Sequence, residues 1–172
     1  MAVTFAPDGN CAWVTNSNRT GYLSCIDTAS QTVLRFSGGK IFCPEAVSVR
    51  PDGKKGYVTE SNYVAVTDSN LTTVKRTILV DPQTGNGLDF TESLGRAAIT
   101  PNGKYLYVPI TDFNNAPSNL VVMVNTETDT VVGRPIIVGS QPYAVTVAPN
   151  GAYAYVANFG DDTVSVIDLG TK

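Results

Sequence analysis

Histidine is absent from this 172-residue chain, and that absence excludes several kinds of catalytic and metal site. Ser-His-Asp triads, Cys-His dyads, HExxH zinc sites and haem ligation by histidine all need an imidazole. Glycine-rich phosphate cradles are also missing, because Gly38-Gly39 and Gly85-Asn86-Gly87 fit neither the dinucleotide-binding nor the P-loop spacing. The sequence therefore says less about chemistry than about fold.

Long apolar runs and an excess of positive charge are missing too. No stretch approaches the roughly 18 apolar residues that span a bilayer. Met1 leads directly into a strand pattern, without the basic and apolar segments of a leader peptide. The net charge of -3 disfavours nucleic acid, since binding phosphates requires a basic face. We predict no transmembrane segment, no signal peptide and no nucleic-acid partner.

What the chain does contain is one segment repeated four times. The copies read AVTFAPDGNCAWVT from Ala2, AVSVRPDGKKGYVT from Ala46, AAITPNGKYLYVP from Ala97 and AVTVAPNGAYAYVA from Ala144. Each copy contains one turn proline, and these recur at nearly even spacing: Pro7, Pro51, Pro101 and Pro149. Self-similarity at this period is typical of stacked supersecondary units.

Each repeat alternates apolar and polar residues with period two, which predicts short strands and no helix. The Pro-Asp-Gly and Pro-Asn-Gly segments predict turns between the first and second strands. Third strands are predicted to end at Asp27, Asp68, Asn125 and Asp168, and fourth strands to cover Thr32–Phe36, Val74–Val80 and Val131–Val138. The total is fifteen strands, and the last repeat lacks its outer one.

Four antiparallel strands in each repeat of this length predict one blade of a β-propeller. The predicted fold is all-β: about four blades, the last incomplete, in an open arc or half-ring. We take the chain as a single repeat domain with blades at about 2–45, 46–96, 97–143 and 144–172. The second strands carry equivalent aromatic residues for which we favour core packing over ligand stacking: Trp13, Tyr57, Tyr107 and Tyr155.

The segments WVTN from Trp13, YVTE from Tyr57 and YVAN from Tyr155, together with TVSVID from Thr163, resemble YVTN-type β-propeller repeats. That family comprises prokaryotic surface and periplasmic propellers, so the resemblance implies an extracellular, cell-surface or periplasmic location. It does not specify an activity, because similar propellers serve as adhesive modules, lactonases and haem or copper enzyme domains. The third repeat departs from the pattern at Pro109, where we expect its second strand to end early.

Three cysteines lack any CxxC spacing, and buried thiols are the plain interpretation. Cys11 and Cys25 nevertheless lie almost symmetrically about the loop at Asn18. Antiparallel pairing of the second and third strands is expected to place these two cysteines opposite each other, where an oxidising compartment allows a disulfide. Cys43 is expected to stay free.

Repeat lengths differ most in two loops, and both are expected on the same rim of the blades. The second repeat has nine extra residues within Asp81–Arg96, and the third has the longest second loop, Thr111–Asn119. Eight acids, Glu60 among them, are assigned to this loop rim against three bases, which makes it the candidate binding surface. Its candidate site residues are Asp81, Asp89, Glu92, Asp112, Asp161 and Asp162. Ordinary drift in loop length is the competing interpretation.

Two functions of different classes fit these observations. The first is a non-catalytic binding or scaffolding module of a cell-envelope or extracellular protein, with a protein or carbohydrate ligand on the loop rim. The second is a fragment of an enzyme resembling propeller lactonases, in which Asp81, Asp89 and Glu92 hold a divalent cation or act as acid and base. The open blade faces also predict self-association.

Calcium binding to the segment from Asp81 to Glu92 separates the two functions. If these carboxylates hold the ion, millimolar calcium raises the melting temperature, because a ligand that binds only the folded state stabilises it. The double variant Asp89→Ala/Glu92→Ala should abolish the rise. If calcium leaves the melting curve of the parent protein unchanged, the segment does not bind calcium and its extra length is ordinary loop drift.

Overall fold

A computed structural model describes residues 2–16, 21–36, 41, 43–60, 63–71, 74–77, 93–111 and 118–170. The described residues form sixteen β-strands in four antiparallel sheets and no helix. No helix able to cross a bilayer is therefore found in this part of the chain. The fold divides into two compact units, Met1–Thr77 and Ile78–Lys172, each of which contains two sheets.

Unit 1 contains sheets 1 and 2, in which each strand pairs with the next along the chain. Sheet 1 comprises β1 (Val3–Phe5), β2 (Cys11–Asn16), β3 (Tyr22–Asp27) and β4 (Val33–Phe36). Sheet 2 comprises β5 (Ala46–Val49), β6 (Lys55–Thr59), β7 (Val64–Asp68) and β8 (Val74–Thr77).

Unit 2 contains sheets 3 and 4. Sheet 3 comprises β9 (Ser93–Leu94), β10 (Ala98–Ile99), β11 (Tyr105–Thr111), β12 (Leu120–Asn125) and β13 (Thr130–Ile137), and both short strands pair with β11. Sheet 4 comprises β14 (Pro142–Val147), β15 (Tyr153–Asn158) and β16 (Thr163–Asp168). The predicted ends of the third strands are confirmed in all four sheets.

The Pro-x-Gly turns connect the first and second strands as predicted. In the first, Gly9 has φ of 72°, a backbone angle that glycine adopts without strain, and its N–H donates to the Ala6 carbonyl at 2.9 Å. The Asp8 carboxylate accepts the N–H of Asn10 at 3.0 Å and closes the turn from inside. Each turn is thus stabilised in separate ways by its proline, by its acid or amide, and by its glycine.

Each sheet has two faces, and we call the face that carries the second-strand aromatic the forward face and the opposite one the rear face. In unit 1 the forward face of sheet 1 packs on the rear face of sheet 2. Trp13, Leu23 and Cys25 meet Val58 and Ala65 in one buried cluster. The Trp13 ring lies over Gly56, where a Cβ would be 2.2 Å from a ring carbon. The indole therefore occupies the space that a side chain at Gly56 would need.

Unit 2 repeats this arrangement with sheets 3 and 4. Tyr107 and Met123 on the forward face of sheet 3 share a buried cluster with Val145, Ala154 and Val156 on the rear face of sheet 4. The predicted core role is confirmed for Trp13, Tyr57 and Tyr107, which are all buried. Tyr155 differs, since it is 42% exposed on the forward face of sheet 4.

The expectation that the second strand of the third repeat ends at Pro109 is wrong. Strand β11 continues through Pro109 to Thr111, and the adjoining first strand breaks instead, into β9 and β10. Proline has no N–H for the ladder. Between the two short strands, Arg96 donates its N–H to the Tyr143 carbonyl at 2.8 Å and accepts the Val145 N–H at 2.9 Å. The backbone of sheet 3 thus bonds directly to sheet 4.

The contact between Trp13 and Gly56 predicts that Gly56→Ala destabilises unit 1 by about 1–3 kcal/mol, because the added methyl overpacks the indole. Since Trp13 is the only tryptophan, its fluorescence emission should shift as well. Denaturant titration measures the first effect and emission spectra the second. The matched control is Gly9→Ala: no atom lies within 4 Å of its Cβ position, so it strains the turn and leaves the emission unchanged. An unperturbed Gly56→Ala protein contradicts the packing.

Candidate functional site

A groove in unit 1 has a volume of about 570 Å³. It opens between sheets 1 and 2 at the edge that carries the Pro-x-Gly turns, which we call the turn edge. Its sides come from the two turns, at Pro7–Asp8 and Pro51–Gly53, and its floor from Trp13 and the Cys11 and Cys25 side chains. Such a volume suits a small ligand or a short peptide segment.

Three carboxylates line this groove, from Asp8, Asp27 and Asp52. Each accepts hydrogen bonds from its own turn, as Asp27 does from the Ser30 N–H at 2.6 Å and the Ser30 hydroxyl at 2.8 Å. These Ser30 bonds lower the pKa of Asp27, because they favour the ionised form. Arg50 pairs with Asp52 at 3.2 Å. Carboxylates outnumber the one paired guanidinium, so the groove is acidic.

Cys11 and Cys25 are joined in the groove floor by a disulfide, with Sγ atoms 2.12 Å apart and Cα atoms 5.7 Å apart. They do not face each other directly as expected. The strand register places Cys11 opposite Asp27 and Cys25 opposite Trp13, so the pair bridges β2 and β3 diagonally. Cys43 is free and exposed.

A second groove, of about 620 Å³, lies at the same place in unit 2, between sheets 3 and 4. Equivalent positions line both grooves: Tyr107 replaces Trp13, and Tyr105 with Met123 replaces the Cys11–Cys25 pair. Burial raises the pKa of Tyr107. Lys104 gives the unit 2 groove a positive charge, whereas carboxylates line the unit 1 groove. The repeated scaffold thus carries two grooves of different chemistry.

The loop rim is described only in part. Asp81, Asp89, Glu92 and Asp112 lie outside the described residues. Asp161 and Asp162 are exposed in the turn between β15 and β16. Their assignment to a binding surface therefore stays a prediction.

Asp161 has a structural role in its turn. Its carboxylate accepts the Ser140 N–H at 3.0 Å and the Thr163 hydroxyl at 2.7 Å, and these bonds lower its pKa. Asp161 therefore ties the loop that precedes β14 to the turn that precedes β16.

Another rim acid, Glu60, is buried instead of exposed. It occupies the position at which sheets 1 and 4 have an asparagine. Asn158 donates from Nδ2 to the Ser165 hydroxyl at 2.9 Å, as Asn16 does to Ser24 at 2.7 Å. The asparagine of these repeats therefore locks the second strand to the third.

In the parts of the chain that the structure describes, no three acidic or cysteine side chains lie close enough together to hold a metal ion, and this includes the three carboxylates of the unit 1 groove. The predicted calcium site depends on Asp81, Asp89 and Glu92, so it stays a prediction. Sequence reasoning missed both grooves. Their lining residues were visible as turn residues, but which turns face each other is decided by the stacking of sheets.

No protein-family model matches the chain, and no curated protein sequence does. Among solved structures, hydrazine synthase of Kuenenia stuttgartiensis is similar at 23% identity with a TM-score of 0.79, over 99% of this chain and 46% of that one. The dihydro-heme d1 dehydrogenase NirN, in complex with DHE, is similar at 16% identity with a TM-score of 0.71, over 97% and 34%. This chain thus spans less than half the length of either.

Both structures are β-propeller proteins, and at these identities the likeness bears on fold alone. Together with the four antiparallel sheets, it confirms the predicted all-β fold of propeller blades in a partial propeller. The fourth sheet has three strands among the described residues, as the sequence predicted.

The disulfide in the groove floor predicts a single cross-linked peptide. Mass spectrometry of the unreduced protein should find Cys11 joined to Cys25 and Cys43 free. The double variant Cys11→Ala/Cys25→Ala should lose up to about 3 kcal/mol of stability, since the cross-link restricts the unfolded chain. Cys43→Ala serves as the matched control and should leave stability unchanged. Finding no linked peptide after oxidation contradicts the pairing.

Proposed function

We propose that this chain is a non-catalytic binding or scaffolding module built from YVTN-type propeller repeats. The observation that carries the proposal is the pair of equivalent grooves, one acidic and the other containing Lys104, on the same stacked-sheet scaffold. A fold that repeats its backbone while varying the chemistry at one edge suits recognition, because rigid strands hold the variable residues in place.

A cell-envelope or extracellular location is part of this proposal. The resemblance of WVTN, YVTE and YVAN to repeats of surface and periplasmic propellers supports it. The Cys11–Cys25 disulfide supports it independently, since disulfides persist in oxidising compartments.

For the ligand of the unit 1 groove we propose a basic segment of a protein partner. Asp8 and Asp52 stand on opposite sides of the groove, and their turns hold both carboxylates in place. Lysine or arginine side chains reaching into the groove gain electrostatic attraction there, while the apolar floor at Trp13 accepts their methylene stems. A carbohydrate ligand, or binding at the loop rim, is the other form of the same proposal.

The enzymatic alternative rests on Asp81, Asp89 and Glu92, and the calcium titration addresses it. The names of the two similar structures denote enzymes. Their low identity carries no residue roles to this chain, so the binding module remains the stronger proposal.

A lysine-rich peptide tests the groove directly. Titrated into the isotopically labelled full chain, it should shift the amide resonances of Asp8, Asn10 and Gly53, and the shifts should weaken with salt. Asp8→Asn/Asp52→Asn should reduce the affinity about tenfold, corresponding to roughly 1.4 kcal/mol. Asparagine keeps the side-chain oxygen that closes each turn, so the fold is preserved.

Glu127→Gln, which removes an exposed carboxylate on a unit 2 turn, is the control and should bind as the parent does. A neutral oligosaccharide is titrated in parallel. If it shifts the same resonances and the peptide does not, the ligand class is carbohydrate. If neither probe shifts them, the groove is not the binding site.

A further inference from the structure

The forward face of sheet 4 is apolar and uncovered. Val164 and Val166 are 64% and 59% exposed there, beside Tyr153 and Tyr155. The equivalent face is buried in both compact units, because sheet 2 covers that of sheet 1 and sheet 4 covers that of sheet 3. Sheet 4 thus presents a face that elsewhere in the chain takes another sheet.

The rear face of sheet 1 is also exposed along β1. Val3 and Phe5 are 62% and 64% exposed on it. Register places Val14 opposite Val3 and Ala12 opposite Phe5, so these four residues share the face. In sheet 4 the equivalent rear residues are Val145, Val156, Val147 and Ala154, which belong to or pack against the buried cluster of unit 2.

The two exposed faces fit each other by the rule that both units follow. In each unit, the second-strand aromatic of one sheet packs on the rear face of the next sheet, at the small residue that directly precedes that sheet's own aromatic. Gly56 receives Trp13 in unit 1, and Ala154 lies in the cluster with Tyr107 in unit 2. Sheet 1 has Ala12 at this position. Its rear face therefore offers Tyr155 the same kind of recess.

We propose that the forward face of sheet 4 docks on the rear face of sheet 1 of a second copy of this chain. The interface is head to tail, since it joins two different faces, and an open assembly keeps one free face of each kind until it closes. Two copies contribute eight sheets, which is within the four to eight blades of propellers. This inference does not depend on the proposed ligand of the grooves.

Sedimentation velocity of the full chain over a range of micromolar concentrations tests the association. Since one chain has a mass of 18.2 kDa, we expect mass action toward a species of twice that mass if the assembly closes, and larger species if it grows open. A protein that keeps the mass of a single chain at every concentration overturns the proposal. The two faces would then be ones that sheets outside this chain cover.

Charged variants identify the faces. Phe5→Lys blocks the rear face of sheet 1, and Val166→Lys blocks the forward face of sheet 4, so each should shift the protein toward the monomer. Ile137→Lys makes the same chemical change at an exposed position of β13 and should associate as the parent does. Val3→Lys and Val164→Lys replace the first two variants if either fails to fold, as judged by circular dichroism and Trp13 emission. Equal loss of association in Ile137→Lys overturns the assignment.

Mixing the two blocked variants shows whether the interface is head to tail. Phe5→Lys protein retains an intact sheet 4 face, and Val166→Lys protein retains an intact sheet 1 face. Their mixture should form a mixed dimer through one interface, although neither associates alone. Association of either variant alone shows that like faces pair, and a mixture that remains monomeric shows that the two different faces do not bind each other; either result overturns the proposed pairing.

Discussion

A sheet of three or four short strands has two faces, and its stability depends on burying at least one of them against another sheet. In both units that requirement is met by an aromatic side chain on one sheet and a small residue on the next. Trp13 over Gly56 shows how close the approach is, since the ring fills the place of a missing side chain. Neither partner alone accounts for the stacking.

Local sequence predicted most of the fold because the relevant forces are local. Proline and glycine set the turns, and Asp27 ends its strand by accepting backbone and hydroxyl hydrogen bonds from the following turn. The path of Arg96 was not predictable in this way. It depends on the N–H that Pro109 lacks in one strand and on the Tyr143 carbonyl of another sheet, which only tertiary structure brings together.

The acidic loop rim stays a prediction, and the two grooves were not predicted from the sequence. Acidic loops suggested one edge of the sheets, whereas the described grooves lie at the other, because a groove arises where two stacked sheets diverge. The disulfide, too, was predicted only in part. Its two cysteines were identified from their spacing, but their diagonal placement depends on where β2 and β3 align. Glu60 was assigned to the rim because it follows a second strand, and its side chain is buried.

The backbone hydrogen bonds between Arg96 and sheet 4 also bear on how unit 2 opens. Its N–H and the N–H of Val145 are both held in bonds that join one sheet to the other. Fraying of an outer strand leaves these bonds intact. Hydrogen exchange at these two amides therefore reports the separation of sheet 3 from sheet 4. The two amides are markers, in the native state, of cooperative opening between neighbouring blades.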